Sequence, residues 1–378
     1  MNKSAITSKD VKLINKNRIY RYIYEAGQTS RQEIFEQIGL SMPTIHQNLK
    51  SLIEDDLIVI DGNFDSTGGR KAQIFSVNSN ARFAVSLNIN ANGIYARLID
   101  MYGNILAEAH LDDMFNQEDE YYRQCAGLIE KCIDSAGVSR NKILGAGITI
   151  PGILDETNRI IVNAPTMGVK NCSIENIAKY IPYPWIAMND AKSGCYAWYW
   201  FNMRGGRHKR YIYLMLSQGV GGAIFDENFD IPGNHNRSGE FGHMTIHPGG
   251  RKCFCGREGC FESYVSSRCL SDEQGVSLKE FFGQMKNGDK EKIMIFEQYL
   301  DNLAIGINNL YTICDCDIVI GGQVAEYLKD YKDILKKKLV GRCSFDTDGE
   351  YISFSECSDR KASAGAALTF ISKFIESI

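Results

Sequence analysis

No run of about 18 apolar residues occurs in the 378-residue chain, which excludes a helix that spans a bilayer. The opening segment MNKSAITSKDVKLINKNR has no apolar core of the kind a secretory signal needs. These absences predict a cytoplasmic protein with no membrane partner. A strong net charge is also missing: 42 Lys and Arg face 46 Asp and Glu, giving −4. That balance excludes a protein that attracts nucleic acid over its whole surface.

What is present is a soluble, globular composition, 44% apolar and 23% charged. The length exceeds one ordinary core and predicts two or three domains. The charge is unevenly spread. Residues 1–50 hold eight Lys and Arg against four acids, so a short basic end of +4 precedes a body of −8. A locally basic end on an acidic body fits a DNA-contacting module. Of twelve cysteines, nine are scattered (Cys125, Cys132, Cys172, Cys195, Cys269, Cys314, Cys316, Cys343 and Cys357). In a reducing compartment these read as buried free thiols. Cys253, Cys255 and Cys260 differ, being bunched in a Gly-rich segment.

The basic end carries a helical pattern. Ile14, Ile19, Tyr22 and Ile23 recur at helical spacing and predict an amphipathic helix that Gly27 stops. Ser30-Arg31-Gln32-Glu33 is a capping box, in which the serine and glutamate satisfy each other's backbone donors. Ile34, Ile38 and Leu40 predict a short second helix and its exit, and Gly39 permits the tight turn to a third. Ser41 suits the N-cap of that third helix, and Pro43 suits its first turn. Ile45, Leu49, Leu52 and Ile53 fall on one face. The other face presents Met42, Thr44, His46, Gln47, Asn48 and Lys50, largely polar groups able to reach base edges or phosphates in a major groove. Two β-branched runs, Leu57 to Ile60 and Gln73 to Val77, flank the turn-rich tip DGNFDSTGGRKA, which holds Arg70 and Lys71. Three helices and a hairpin predict a winged helix-turn-helix over residues 1–80. Its candidate DNA contacts are Ser41, Thr44, His46, Gln47, Asn48, Lys50 and Arg70.

Gly239-Glu240-Phe241-Gly242-His243 runs on to Cys253-Phe254-Cys255-Gly256-Arg257-Glu258-Gly259-Cys260-Phe261-Glu262. Three thiols and one imidazole are the donors a closed tetrahedral zinc site needs. Cys-x-Cys puts two thiolates on one turn, and Gly256 and Gly259 let the backbone fold back to bring Cys260 in. His243 supplies the nitrogen, with His247 an alternative that spacing does not exclude. Four protein ligands leave no open position, so the zinc reads as structural.

From about residue 82 strands and helices alternate. Phe83–Ile89 and Tyr95–Asp100 read as a hairpin. Helical stretches near 118–136 and 296–313 alternate with the apolar strands Gly145–Ile150, Tyr211–Leu216 and Asp317–Ile320. The pattern predicts α/β layers.

These stretches together resemble the ROK family of repressors and sugar kinases over nearly the whole chain. The metal segment matches that family's Gly-Glu-x-Gly-His and Cys-x-Cys-Gly-x-x-Gly-Cys-x-Glu signature. The basic end matches its repressor branch at Ile14-Asn15, Ser30-Arg31, Gly39-Leu40-Ser41 and Ser66-Thr67-Gly68-Gly69-Arg70-Lys71. Further matches are Gly147-Ile148-Thr149-Ile150-Pro151-Gly152, Asn189-Asp190-Ala191, Gly219-Val220-Gly221-Gly222, Ile320-Gly321-Gly322 and Ala364-Gly365-Ala366-Ala367. The resemblance implies a two-lobed, actin-like (ribonuclease H-like) sugar-kinase fold with a structural zinc loop. Its lobes would cover 81–190 and 191–378, with the C-terminal helix packing back on the first. It implies that Thr44, His46, Gln47 and Asn48 read bases while Arg70 enters the minor groove. It assigns zinc to His243, Cys253, Cys255 and Cys260, and sugar contacts to Asn189, Asp190, Glu240, His243 and Glu262.

The chain departs from the family's kinases where phosphates bind. Their Asp-x-Gly-Gly-Thr loop is replaced by Asn88-Ile89-Asn90-Ala91-Asn92, and their Gly-Thr-Gly by Ser217-Gln218-Gly219. Asn88 cannot supply the negative charge that the acid brings to magnesium. Asp190, where the family places its catalytic base, reads as vestigial. In the sugar site, Thr166 stands for an Asn, Met188 for an acid and Lys192 for an Asn. The resulting expectation is a homodimer, or dimer of dimers, that binds a palindromic operator and is controlled by a sugar or sugar phosphate. An ATP-dependent sugar kinase and a protein-docking module built on the zinc loop are the rivals.

Overall fold

In the computed structural model, the residues described are 7–64, 71–91, 93–202, 210–226, 229–231, 233–343, 345 and 348–378. Three helices come first: α1 (Ser8–Ala26), α2 (Arg31–Ile38) and α3 (Met42–Glu54). The boundaries follow local chemistry. Ser30 accepts from Glu33 N while Glu33 accepts from Ser30 N, closing the capping box. Those bonds hold the Glu33 carboxyl below its usual range. Gly27 (φ 73°) and Gly39 (φ 70°) end α1 and α2 in conformations other residues adopt at a cost. Ser41 caps α3, accepting from Thr44 N. Strands β1 (Gln28–Thr29), β2 (Ile58–Asn63) and β3 (Gln73–Val77) form the wing sheet in the order β1-β3-β2. The two-residue β1 is too short for any alternation to predict.

α3 buries Ile45, Asn48, Leu49 and Leu52. Each buried aliphatic chain there contributes about 1.5–3 kcal/mol. Two predicted core positions lie further out: Ile14 is 50% and Ile53 38% exposed. Of the scattered cysteines, five are buried, whereas Cys314, Cys316, Cys343 and Cys357 are half-buried.

The body continues with β4 (Phe83–Asn90), β5 (Gly93–Ile99), β6 (Ile105–Leu111), α4 (Asp119–Ala136), β7 (Ile143–Ile150), β8 (Ile153–Leu154), β9 (Ile160–Ala164), β10 (Val169–Ser173), α5 (Glu175–Ala178), β11 (Trp185–Asn189) and α6 (Asp190–Asn202). After these come β12 (Tyr211–Leu216), β13 (Val220–Asp226), β14 (Phe229–Asp230), α7 (Glu262–Val265), α8 (Leu278–Lys286), α9 (Lys290–Cys314), β15 (Asp317–Gly321), α10 (Ala325–Leu328), α11 (Lys332–Val340), β16 (Ile352–Phe354), α12 (Asp359–Ala362) and α13 (Gly365–Ser377). Two sheets share one plan. One runs β11-β7-β4-β5-β6 and the other β14-β13-β12-β15-β16. In each, the first strand is central, the next two are antiparallel on one side, and the last two are parallel on the other. A small sheet, β10-β9-β8, adjoins the first.

α13 packs on β7 and β4 of the first sheet and against α6. The approach is close. A β-carbon on Gly147 would lie 2.3 Å from Ala367 N, and one on Gly365 1.9 Å from Ser193 O. Ser193 Oγ donates to Ala362 O (3.0 Å) and accepts from Ala366 N (3.2 Å). The winged helix shares this core. Ile19, Tyr20 and Ile23 of α1 cluster with Trp200 of α6 and with Ile371 and Ile375 of α13. Tyr24 Oη donates to Met101 O (2.7 Å), and Asn17 Nδ2 to Ile375 O (2.7 Å). Gly147→Ala is expected to cost about 1–3 kcal/mol or more by overpacking, read by calorimetry as a lower melting temperature. An unchanged transition would show that the helix is not held against the sheet as described.

Candidate functional site

A cleft of about 840 Å³ is lined from both sheets. Asn189 ends β11 and Asp190 begins α6, so the strand delivers both residues to the cleft. Asn189 is largely occupied by backbone: Nδ2 donates to Gly152 O (2.9 Å), and Oδ1 accepts from Ala191 N (2.9 Å) and Lys192 N (3.2 Å). It therefore caps α6 and fixes its start. Burial pushes the Asp190 carboxyl up to about 7, and the Glu240 charge adds to that rise. Burial also raises Glu240, with His243 opposing and Glu262 reinforcing.

Glu240, His243 and Glu262 line the same cleft. His243 Nε2 is 3.9 Å from Glu240 Oε2, and its Nδ1 is 3.8 Å from Glu262 Oε1. Glu262 is only 8% exposed. Its Oε1 lies 3.1 Å from Cys253 Sγ, and its Oε2 accepts from Val220 N at 3.4 Å. One carboxylate thus ties the cysteine loop to the first residue of β13.

His243, Cys253, Cys255 and Cys260 place their ligand atoms within 4.8 Å of one another. Cys255 and Cys260 Sγ are 3.6 Å apart, and Cys253 Sγ is 3.8 Å from His243 Nδ1. A tetrahedron with metal–sulfur bonds of about 2.3 Å has edges of roughly 3.8 Å, so the donors fit one ion. The fold-back rests on Gly256 (φ 86°) and Gly259 (φ 80°). At Gly259 a β-carbon would lie 1.8 Å from His247 O. His247 is not a ligand here. Its Nε2 pairs with Asn302 Oδ1 at 2.6 Å, and its ring meets Tyr264 edge-on.

Alternation along β4 and β5 gives the cleft a polar wall. Asn88 pairs with Tyr95 and Ser86 with Arg97, and Asn88 Oδ1 accepts from Asn90 Nδ2 (3.1 Å). Arg97 bonds Glu108 and, through Nη1, Ser363 Oγ (2.8 Å), while Arg360 reaches the same Glu108 (2.7 Å). Thr166 and Met188 line the cleft as well. Several cleft residues escaped the sequence reading. Among the described residues the enclosed Asn163 Oδ1 has no partner, and Arg268 sits over Phe254, its guanidinium carbon 3.9 Å from the ring centroid. Strand alternation was a usable signal for Arg97. Nothing local marks Asn163 or Arg268, which only the tertiary fold carries to the cleft.

On the winged helix, Ser41, His46, Gln47 and Lys50 are exposed and Thr44 is half-exposed. Asn48 is corrected. It is 2% exposed and donates to Thr44 O at 2.8 Å, because its position falls beside Ile45 and Leu49 on the packed side of α3. Arg70 lies outside the described residues.

The chain belongs to the ROK family, which it matches over residues 84–373. Residues 13–59 match a winged helix-turn-helix DNA-binding segment. The xylose repressor of Bacillus spizizenii is 26% identical over 306 residues, 79% of each chain. A solved ROK family transcriptional regulator, described as a homologue of the E. coli MLC protein, superposes with a TM-score of 0.74 at 21% identity, covering 97% of both chains. A ROK glucokinase of Streptomyces griseus, solved with glucose and AMPPNP, gives 0.64 at 20% identity over 76% of this chain and 98% of its own. No helix among the described residues is long and apolar enough to cross a membrane.

Asp190 has a pH signature with a definite sign. Its folded value of about 7 lies above the ordinary carboxyl value of 3.8. Between these values the folded state holds the extra proton, so this group's contribution to stability falls as pH rises through that window. Asp190→Asn removes the effect. The variant's melting temperature is expected to gain on the wild type from pH 4 to 7 and to level off above, by calorimetry across pH. A constant offset would show an ordinary carboxyl.

Proposed function

We propose that this chain is a sugar-responsive, DNA-binding transcriptional repressor of carbohydrate genes. The observation that carries the proposal is the placement of α6. It starts at Asp190 in the cleft and carries Trp200 in its last turn, where the ring meets Tyr24 of α1 edge-on at 6.1 Å. A 13-residue helix spans about 20 Å, so one rigid element joins the cleft to the DNA-facing head. A sugar held by Asp190, Glu240, His243 and Glu262 shifts the head only by binding one arrangement more tightly than another. Residues 1–80 form the reading head, 81–190 the first lobe and 191–378 the second. A homodimer presents two α3 helices to a palindromic operator, as two-fold symmetry requires. Ser41, Thr44, His46, Gln47 and Lys50 are the contacts proposed on α3, with Arg70 proposed on the wing.

The ion in the loop is proposed to be zinc, held by His243, Cys253, Cys255 and Cys260. When bound it supplies a fixed fold-back rather than reactivity, since four protein donors fill its shell. His243, fixed through Nδ1, keeps Nε2–H for a sugar oxygen. Glu240 and Glu262 accept from vicinal hydroxyls. The chain is proposed not to transfer phosphate. Supporting this, Asn88 takes the place of an acid, and the Arg97–Glu108–Arg360 network occupies that wall of the cleft.

Three outcomes are expected. In a gel shift with DNA upstream of its own gene, the protein binds, and Gln47→Ala loses about 1–3 kcal/mol of discrimination between operator and scrambled DNA. Equal losses on both sequences would contradict base reading. Elemental analysis of natively purified protein gives about one zinc per chain, and Cys260→Ser abolishes it; zinc-free wild type would end the assignment. A coupled assay with ATP and common hexoses shows no turnover above background, and ordinary turnover would establish the kinase reading instead.

A further inference from the structure

Asn158, Asn163, Asn189 and Asn236 line one side of the cleft. Three of these side chains are committed. Asn189 holds Gly152 O and caps α6. Asn236 Nδ2 lies within reach of Leu154 O (3.3 Å), Asp155 O (3.1 Å) and Asn158 Oδ1 (3.0 Å), while its Oδ1 accepts from Lys192 Nζ (2.6 Å). Asn158 is thereby engaged as well. Asn163 differs. Among the described residues no donor reaches its Oδ1, which is enclosed. An enclosed acceptor left without a donor is costly, and on the wall of a cleft it points to a donor that the ligand supplies.

The backbone that carries Asn163 is firmly held. It lies on β9, the middle strand of the small sheet, opposite Ile153 of β8 and Lys170 of β10. A β-carbon on Gly152 would lie 2.4 Å from Asn163 O, so the two backbones touch. Gly152 O is the same acceptor that Asn189 grips. Two short links therefore join Asn163 to the residue just ahead of Asp190, and its distance from the sugar-facing start of α6 is fixed. The chemistry of the side chain is distinct too. Ionised Glu240 and Glu262 can only accept, whereas a primary amide accepts through Oδ1 and donates through Nδ2. Two adjacent hydroxyls answer both ends at once, one donating to Oδ1 and the other accepting from Nδ2. A carboxylate or phosphate would set its own lone pairs against the enclosed oxygen, so the group facing Asn163 is a neutral donor.

We infer that Asn163 is a specificity-determining residue of the cleft, and that its amide reads a pair of adjacent, unmodified ring hydroxyls on the effector. The inference rests on the proposed sugar site and deepens it. Glu240, His243 and Glu262 address the ligand from the second lobe, and Asn163 addresses it from β9 of the first. A sugar that lacks a hydroxyl toward β9 leaves the enclosed oxygen unpaired, which is the arrangement that lets a site reject a close analogue strongly. Asn163 therefore selects among sugars that the carboxylates alone accept alike.

The test is calorimetric titration of the full chain with glucose, galactose, mannose and xylose, and then with the monodeoxy analogues of each sugar that binds. In the wild type, loss of one particular hydroxyl is expected to weaken binding about tenfold or more. In Asn163→Leu the parent sugar weakens by a similar factor, and that deoxy analogue now binds as well as the parent, while the penalties for the other hydroxyls persist. Asn163→Asp, which keeps an acceptor, retains part of the discrimination. Without ligand, Asn163→Leu is expected to melt at or above the wild-type temperature, because an apolar group replaces an unpaired one. A lower melting temperature for both variants would make Asn163 a structural residue and overturn the inference. Parent-sugar affinity unchanged in Asn163→Leu, or every deoxy penalty surviving in it, also overturns the inference and leaves the sugar site standing. Silence of the wild type across the whole panel overturns the sugar-site reading and this inference with it.

Discussion

The contact between α6 and α13 at Ser193 and Gly365 sets the geometry from which the other parts take their positions. Ser193 Oγ bonds both Ala362 O and Ala366 N, and glycine at 365 lets the two backbones meet. α6 is thereby held against the last helix, and the last helix against Gly147 of the first sheet. The near end of α6 places Asp190 in the cleft, and its far end supports α1 of the reading head. Loosening this junction would blur the cleft and the head together, because one pair of helices positions both.

The cysteine loop is a second fixed point, coupled to the first through Glu262. That buried carboxylate touches Cys253 on one side and the start of β13 on the other. The loop therefore braces a wall of the cleft in addition to gathering four candidate metal ligands. The same bracing fixes Phe254 beneath Arg268. Cysteine cluster, carboxylate and arginine form a continuous sequence of contacts, although each reads in the sequence as a separate local feature.

Features governed by short-range chemistry were legible in the sequence. The Ser30–Glu33 box, the Gly27 and Gly39 stops, the Ser41 cap and the cysteine spacing depend on residues within a few positions, and the structure shows each. The strands Tyr211–Leu216 and Ile143–Ile150 emerged from their apolar runs, the second longer than its pattern suggested. What was not legible depended on tertiary neighbours. Asn48 reads as outward-facing by residue type, but its position on α3 turns it inward. Ile14 looks like core by spacing, yet it is half exposed. Asn163 and Arg268 have no sequence neighbours that mark them, and only the closing of two sheets on one cleft brings them to it.

The continuous core shared by α1, Trp200, Ile371 and Ile375 bears on how such a protein can diversify. A head that had its own closed core could be exchanged between bodies like an interchangeable tool. Here the head borrows part of its floor from α13, whose Ile375 meets Asn17 from 358 residues away along the chain. Recombination between the first three helices and the body would leave complementary apolar surfaces mismatched, so the winged helix changes more readily by point substitutions on its exposed faces than by wholesale replacement.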